Sequence, residues 1–393
     1  MPKSSVGPRA LMDLFRGRPS VAKQLEALAS TKVEELPRDS IVEWPKVVLR
    51  KMEKGGPSVR IVDSPIPEPN DDQVLIKVVV SGSNPKDWKL PNLFGDAINQ
   101  GDDIAGIVEK VGANVFEFKP GDRVAAFHEM RTPGGSYAEY AIAWQHTTFH
   151  IPAETTFEEA AAIPLAAMTA AVALYQRLGL PQPWSPEAAA AASTPTPLII
   201  YGAASAVGIY AVQLAQRSNI HPLLCVAGRA RDHVERFIDR AKGDVVVDYR
   251  DGDEAVVSAL VAAAGQAGGV RHALDAVSEG SSISNIGEVF RRVGQANGKV
   301  TFVLGGEKQG LPEGVDKSIT MVGCVHKEAK DFGYVFFRYF ARGLQEGWFK
   351  GQRTEVVPGG LGGIEPALTN LKDGKASGVK YVFRIAETEG VGK

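Results

Sequence analysis

The sequence predicts an α/β protein in two parts: a partly open β-barrel and, inserted into it, a doubly wound parallel sheet. Three observations carry that expectation. From about Val42 short apolar strands alternate with Gly and Pro-Gly turns, as in "DQVLIKVVVSG" at 72–82. From Pro197 the rhythm becomes strand, helix, strand. The tail, "GVKYVFRIA" at 378–386, turns strand-like again and is expected to rejoin the first part. The expected division is an N-terminal extension (1–40), a barrel-type catalytic domain (41–165 with 335–393) and a cofactor domain between them (166–334).

Composition narrows the function. A chain of 393 residues is too long for one ordinary core. It is 44% apolar and 23% charged, with a net charge of −2, which argues against a broad nucleic-acid or membrane surface. No uninterrupted apolar run approaches the roughly 18 residues that span a bilayer. The two cysteines, Cys225 and Cys324, form no CxxC pair, so neither a disulfide framework nor a four-cysteine zinc site is expected. That usage fits a cytoplasmic protein. The first 40 residues bring Arg9, Arg16 and Arg18 into an amphipathic stretch, a mitochondrial presequence pattern. Asp13, Glu26, Glu34 and Glu35 count against it and favour a surface-docked or disordered arm.

The elements follow in order. "DDIAGIVEKVGANV", "KPGDRVAAF" and "GGSYAEYAIA" continue the strands of the barrel. At about Phe157 the period becomes helical, with a break at Pro164. "PQPWSPEAAAAASTPTP" at 181–197 reads as a long Pro/Ala/Ser-rich loop. Then come strand 197–201, helix 206–217, strand 222–226 and helix 231–241, with strands near 244–248, 271–275 and 299–304. Strands alternating with helices imply a parallel sheet covered on both faces. The aromatic run at 332–349 suits a core, a dimer interface or the wall of a bulky pocket.

"PLIIYGAASAVG" at 197–208 is a strand, a tight turn and a helix start. Backbone N–H groups at a helix N-terminus bind anions, and small residues admit a pyrophosphate. Gly202, Ser205 and Gly208 are spaced as such a cradle, with Ser205 where a glycine is usual. The second strand separates the cofactors. An NAD site places Asp or Glu at its end, against the ribose 2′-hydroxyl. Here the strand ends Val226-Ala227 and is followed by Gly228, Arg229 and Arg231. A 2′-phosphate suits arginine, through charge-assisted bonds worth roughly 1.5–3 kcal/mol each. NADPH is therefore the expected cofactor. The bland alternative is a pair of solvated arginines.

These pieces, with "NPKDWK", "AAIPLAAMTA" and "VVDYR", resemble the medium-chain dehydrogenase/reductase superfamily. Its members combine a GroES-like catalytic barrel with an inserted Rossmann domain. "NPKDWK", "LGLPQPWSP", "YGAAS" and "SGVKYVFRI" are similar to fungal trans-acting enoyl reductases, within the zinc-free quinone oxidoreductase and enoyl reductase branch. The resemblance implies that Lys86, Asp87, Trp88 and Lys89 lie at the nicotinamide end, with Thr169 near them. Ala204, Ser205, Ala206 and Val207 would hold the pyrophosphate. Gly228, Arg229, Ala230, Arg231 and Tyr249 would surround the 2′-phosphate. Val303, Leu304, Tyr381 and Val382 would close over the nicotinamide.

In zinc members a Cys ligand stands at Asn84, and a His-Glu pair at Asp102 and Asp103. Asn84 has no thiolate and Asp102 no imidazole, so no catalytic zinc is expected. Asp102 and Asp103 are expected to cap or hydrogen-bond within their turn. Without a Lewis acid the chemistry favours a conjugated acceptor, an enone, enoyl group or quinone, whose enolate a single donor can stabilise. Some mitochondrial enoyl reductases have a tyrosine where this chain has 93–95, "LFG". Lys89, matching a lysine of trans-acting enoyl reductases, is the candidate catalytic donor, or else a ribose ligand. The alternatives are an enoyl reductase of a secondary-metabolite pathway, with a carrier-protein partner, and a weakly catalytic NADPH-binding redox sensor. A homodimer is compatible with either.

Overall fold

The computed structural model describes residues 46–53, 56–94, 99–305 and 309–391. The expected N-terminal extension lies outside the described residues.

The described chain opens on an antiparallel hairpin, β1 (Lys46–Glu53) and β2 (Gly56–Asp63). The barrel sheet follows: β3 (Gln73–Gly82), helix α1 (Lys86–Phe94), β4 (Asp103–Val111), β5 (Arg123–Phe127), β6 (Tyr140–Trp144) and β7 (Thr148–His150). Its seven strands run in the order β14-β15-β3-β4-β5-β7, with β6 also on β3. Of these, β14 (Thr354–Val356) and β15 (Lys380–Arg384) come from the end of the chain, and β15 pairs antiparallel with β3. The C-terminal tail therefore returns to the barrel.

Alternation along β3 serves two cores. Val74, Ile76 and Val78 enter the barrel interior. A register shift between Val78 and Val80 then turns Val80 toward the core shared with the helices. One extra residue in a ladder reverses which face a side chain occupies.

Thr156 caps the short helix α2 (Phe157–Ala160) by accepting from the Glu159 N–H. Pro164 restarts the chain at the first turn of α3 (Pro164–Ala171), where its missing N–H costs nothing. A π-helical turn, Val172–Arg177, continues it. By length and composition 157–177 is apolar enough to cross a membrane, yet 83% of its apolar window is buried inside the protein. Its apolar surface is spent on the core between barrel and parallel sheet.

The stretch expected to be a loop holds a short helix, α4 (Pro186–Ala191). Ser185 caps it and Pro186 takes its first position, signals that outweigh the loop-like composition.

The parallel sheet contains β8 (Leu198–Tyr201), β9 (Leu223–Ala227), β10 (Val245–Asp248), β11 (His272–Asp275), β12 (Lys299–Phe302) and β13 (Asp316–Ile319), in the order β10-β9-β8-β11-β12-β13. This is the doubly wound order whose strand sequence reverses at the first strand. Between β8 and β9 runs α5 (Ala206–Arg217), matching the expected span. The expected helix at 231–241 is corrected: α6 (Arg231–Val234) is a single turn, and Asp239 caps a separate 3-10 turn at Arg240–Lys242. Asp244 accounts for the shortening, because its carboxylate takes the Asp239 and Leu223 N–H groups and the His221 ring and bends the chain inward. Helices α7 (Asp253–Gln266) and α8 (Ser282–Arg292) pack on the sheet through Val256, Leu260, Ile286 and Phe290.

Helix α9 (Lys330–Glu346) carries the aromatic run. Phe336, Phe337 and Phe340 are fully buried and stack with Tyr175, Phe149 and Phe349, so the run builds core. A last helix, α10 (Ile364–Lys372), closes the barrel beside β2. The expected domain limits at 165/166 and 334/335 fall inside α3 and α9, so two helices are shared across them.

Candidate functional site

The phosphate end is made of backbone. β8 ends in Tyr201, and Gly202 turns the chain at φ +80°, a conformation few side chains adopt. A β-carbon there would stand 2.6 Å from Val277. Ser205 caps α5, its Oγ accepting from the Gly208 N–H at 3.1 Å. That bond uses an oxygen lone pair and leaves the hydroxyl proton free to donate. A β-carbon on Gly208 would lie 2.3 Å from the Gly202 carbonyl, which is why helix and strand meet so closely. Among the described residues the N–H groups of Ala206 and Val207 have no partner, as first-turn amides do not. With the helix dipole they fit an anion. The loop is also tied to the end of the chain, because the Ala204 carbonyl accepts from Gln352 Nε2 at 3.3 Å.

At the end of β9, Gly228 faces the Tyr249 ring, where a β-carbon would sit 2.4 Å from ring carbon. Tyr249 itself is half exposed. Arg229 donates to the Gly374 carbonyl at 2.9 Å, which leaves most of its five donors free. Gly378 packs on Ala230, so the segment before β15 lies against this turn. Arg231 lies 4.0 Å from Glu235. At the end of the next strand stands Asp248, which Arg250 clasps with two nitrogens at 2.9 and 2.5 Å. That clasp holds the Asp248 carboxyl down at about 2 and neutralises a charge that would repel phosphate.

The nicotinamide end is made of side chains, most of them buried. Lys86 ion-pairs with Asp102 and, at 2.8 Å, with Asp87, and donates to the Gln100 carbonyl. Asp87 accepts from the Asn84 N–H at 2.7 Å and the Tyr137 hydroxyl at 2.6 Å. Burial alone would lower the Lys86 ammonium, but the two carboxylates hold it above the ordinary lysine range. A second cluster adjoins the first. Asp103 binds the Lys380 ammonium, accepts from Asn84 Nδ2 at 2.7 Å and from the Leu165 N–H at 2.6 Å, and Lys380 also donates to Asn84 Oδ1 at 3.2 Å.

This corrects the expectation that Asp102 and Asp103 act within their turn. They bind α1, α3 and β15 to the start of β4. Lys86 and Asp87, expected against the nicotinamide, are engaged in the protein interior instead. Tyr381 and Val382, expected to close over it, are 4% and 0% exposed, one in each core, and present no surface to a cleft. With both aspartates balanced by lysines, no metal-ligand set forms around Asn84. Among the described residues no three His, Cys, Asp or Glu side chains converge as metal ligands.

Lys89, one turn along α1, differs from Lys86. Its ammonium reaches the opposite wall and pairs with Glu279, on the loop after β11, at 2.6 Å, while lying 5.3 Å from the Trp88 ring centre. Trp88 Nε1 is buried without a partner, an orphaned donor beside Lys89. Thr169 spends its hydroxyl proton on the Leu165 carbonyl at 2.7 Å and keeps only acceptor capacity. Val303 and Leu304 are half-buried after β12, with the Val303 N–H on Ser278 Oγ at 3.2 Å. Ser278, at φ +53°, and the Ser282 hydroxyl are both held by the buried Asp275 carboxylate.

Sequence reasoning missed Lys380, Glu279, Gln352 and Asp275. Only Lys380 stood within a quoted motif, "SGVKYVFRI". The others lie in stretches with no motif, and folding alone brings them to the site.

Residues 70–153 match the alcohol dehydrogenase GroES-like domain family. The chain is 52% identical over 308 residues to trans-enoyl reductase fsr4 of Gibberella fujikuroi, covering 77% of this chain and 89% of that one. It is 35% identical to the chloroplastic quinone-oxidoreductase homolog of Spinacia oleracea over 205 residues, 50% of this chain and 58% of that one. The crystal structure of CurK enoyl reductase shares the fold, with a TM-score of 0.66 at 17% identity over 85% of this chain and 98% of that one. Enzymes of this superfamily bind nicotinamide cofactors, and the glycine-lined phosphate turn fits one. The chain belongs to the zinc-free enoyl and quinone reductase branch of the medium-chain dehydrogenase/reductases, and it is an oxidoreductase.

Proposed function

We propose that the protein is an NADPH-dependent enoyl reductase, adding hydride to the β-carbon of a conjugated acyl group, with water supplying the proton that the α-carbon of the resulting enolate takes up. The observation that carries this reading is 52% identity to a trans-enoyl reductase across 89% of its length. Bound NADPH supplies the hydride. The chain's own residues do the rest. Ala206, Val207 and Ser205 offer donors to the pyrophosphate, Arg229 and Arg231 to the 2′-phosphate. Tyr249 covers the adjoining backbone at Gly228. Lys89, released from Glu279, places a cation where the substrate carbonyl gains negative charge, and such a donor contributes most in a site that excludes water. A carrier-bound acyl chain is the proposed physiological form of the substrate.

Two measurements test this. NADPH oxidation is followed with a crotonyl thioester and with a benzoquinone. Faster turnover of the thioester supports the reading, and turnover of the quinone alone overturns it in favour of a quinone reductase. Binding without turnover of either points to a redox sensor. For the cofactor, Arg229→Ala should weaken NADPH at least tenfold and leave NADH unchanged. Equal loss for both would sink the NADPH assignment.

A further inference from the structure

A cavity of about 630 Å³ opens on the side of the parallel-sheet half, between the 3-10 turn before β10 and the segment leading into β14. Nothing in the reductase chemistry uses it. Its floor contains His221, just before β9, and Gln216, at the end of α5. These mark the amino ends of the parallel strands. Dinucleotides bind doubly wound sheets beyond the carboxyl ends. The cavity is therefore on the wrong side of the sheet for the cofactor.

Its charge is one-sided. Arg236, Lys242, Lys350 and Arg353 line it, and among the described residues none of them has a carboxylate partner. Lys242 Nζ instead sits 3.5 Å from His221 Nε2. Two acids also line the cavity, and backbone amides already engage both: Glu159 accepts from the Gly351 N–H and Asp239 from the Ala241 N–H, each at 3.0 Å. Four unpaired cations against two occupied carboxylates leave a positive field. The buried His233 ring registers it. Burial first, then the cations of Arg353 and Arg236, hold its pKa below the ordinary range although Gln352 bonds its Nε2.

The backbone that carries the cationic rim is fixed before any ligand arrives. Gln213 bonds Lys350 twice, accepting from its N–H at 2.8 Å and donating to its carbonyl at 3.0 Å. The Gln352 N–H donates to the Tyr210 hydroxyl at 2.9 Å. The remaining wall is apolar: Trp348, held under Arg217 at 4.6 Å, with Phe237 and Ile238. Its volume lies within the roughly 300–1,000 Å³ of organic-ligand sites and far exceeds that of a bare ion.

We propose that this cavity is a second binding site, distinct from the cofactor cleft, for a phosphate monoester bearing an aromatic or apolar body. The phosphate meets Lys350 and Arg353, and the body lies on Trp348. The test uses phenyl phosphate as probe, titrated calorimetrically with and without saturating NADPH. Inorganic phosphate and phenol serve as separate arms. Saturable binding that NADPH leaves unchanged is expected, at least tenfold tighter than either fragment. The double variant Lys350→Ala, Arg353→Ala should weaken it at least tenfold with NADPH affinity intact, since both side chains are exposed. Lys242→Ala should weaken it less. No saturable binding, displacement by NADPH, or unchanged affinity in the double variant would overturn the site. Inorganic phosphate binding as tightly as phenyl phosphate would overturn the role of the apolar wall.

Discussion

The two ends of the cleft are built from different materials. At the phosphate end the working parts are backbone: two free amides, a positive-φ glycine, a glycine pressed on a carbonyl and a serine cap. The charged side chains there, Arg229, Arg231 and Arg250, keep contact with water. At the other end the working parts are charged side chains withdrawn from water, Lys86 with Asp87 and Asp102, Lys380 with Asp103. A backbone cradle stays available whatever the charges around it do. A buried ion cluster is all or nothing, because losing one partner leaves the other charged and dry.

The largest effect expected from that difference is on stability. Lys380→Met would strand Asp103, which is fully buried and already committed to Asn84 and Leu165. Removing one partner of a buried pair costs about 3–5 kcal/mol. Denaturant unfolding should show a loss of that size, and Lys380→Met with Asp103→Asn should recover part of it. At the phosphate end Arg250→Ala removes a shorter-range pair whose arginine lies half in water, and its midpoint should barely move. If Lys380→Met unfolds at the parent's midpoint, the two ends do not differ as argued.

A smaller effect separates the two lysines of α1. Lys86 is buried structure. Lys89 pairs with a single carboxylate, Glu279, that is itself exposed, so it can be exchanged between Glu279 and a substrate. Lys89→Ala should therefore lower kcat about 10²-fold, the range seen for a lost donor to a developing oxyanion, while the melting temperature stays put. Glu279→Gln keeps the size of the partner but loosens its hold, so KM should move more than kcat. A Lys89→Ala enzyme with kcat within twofold of the parent would leave Lys89 a surface lysine with a salt bridge.

The same contrast explains what could be read from the sequence. The phosphate turn lies within one dozen residues, 197–208, so spacing alone located it, and α5 was placed to the residue. The strand rhythm likewise announced both sheets. The ion clusters join residues 84, 86, 87, 102, 103 and 380, and a charge in one motif shows nothing about its partner in another. So the ion pairs that Lys86 makes with Asp87 and Asp102 were not legible in the sequence. The burial of Tyr381 and Val382 was hidden for a related reason: a strand shows which residues share a face, but not that both faces are covered. Helix α6 stopped early because of Asp244, whose effect is tertiary.

The effect that is smallest near neutral pH concerns acid, and it too should fall on the half that relies on buried side chains. His326 seals the seam between the parallel sheet and the barrel, donating through Nε2 to the Phe127 carbonyl of β5 at 3.1 Å. Its Nδ1 is buried without a partner, so a proton there would have nothing to bond. Burial, the dominant cause, pushes the ring's pKa down to about 3. An unfolded histidine titrates near 6.5. Between those values the unfolded chain binds a proton that the folded chain refuses. This contribution to stability is therefore complete above about 6.5 and is lost as pH falls toward 3, at about 1.4 kcal/mol per pH unit. His326→Gln keeps a donor for Phe127 but cannot titrate, so its melting temperature should fall less steeply with acid than the parent's and match it near neutrality. Parallel slopes for the two proteins would show that acid enters elsewhere.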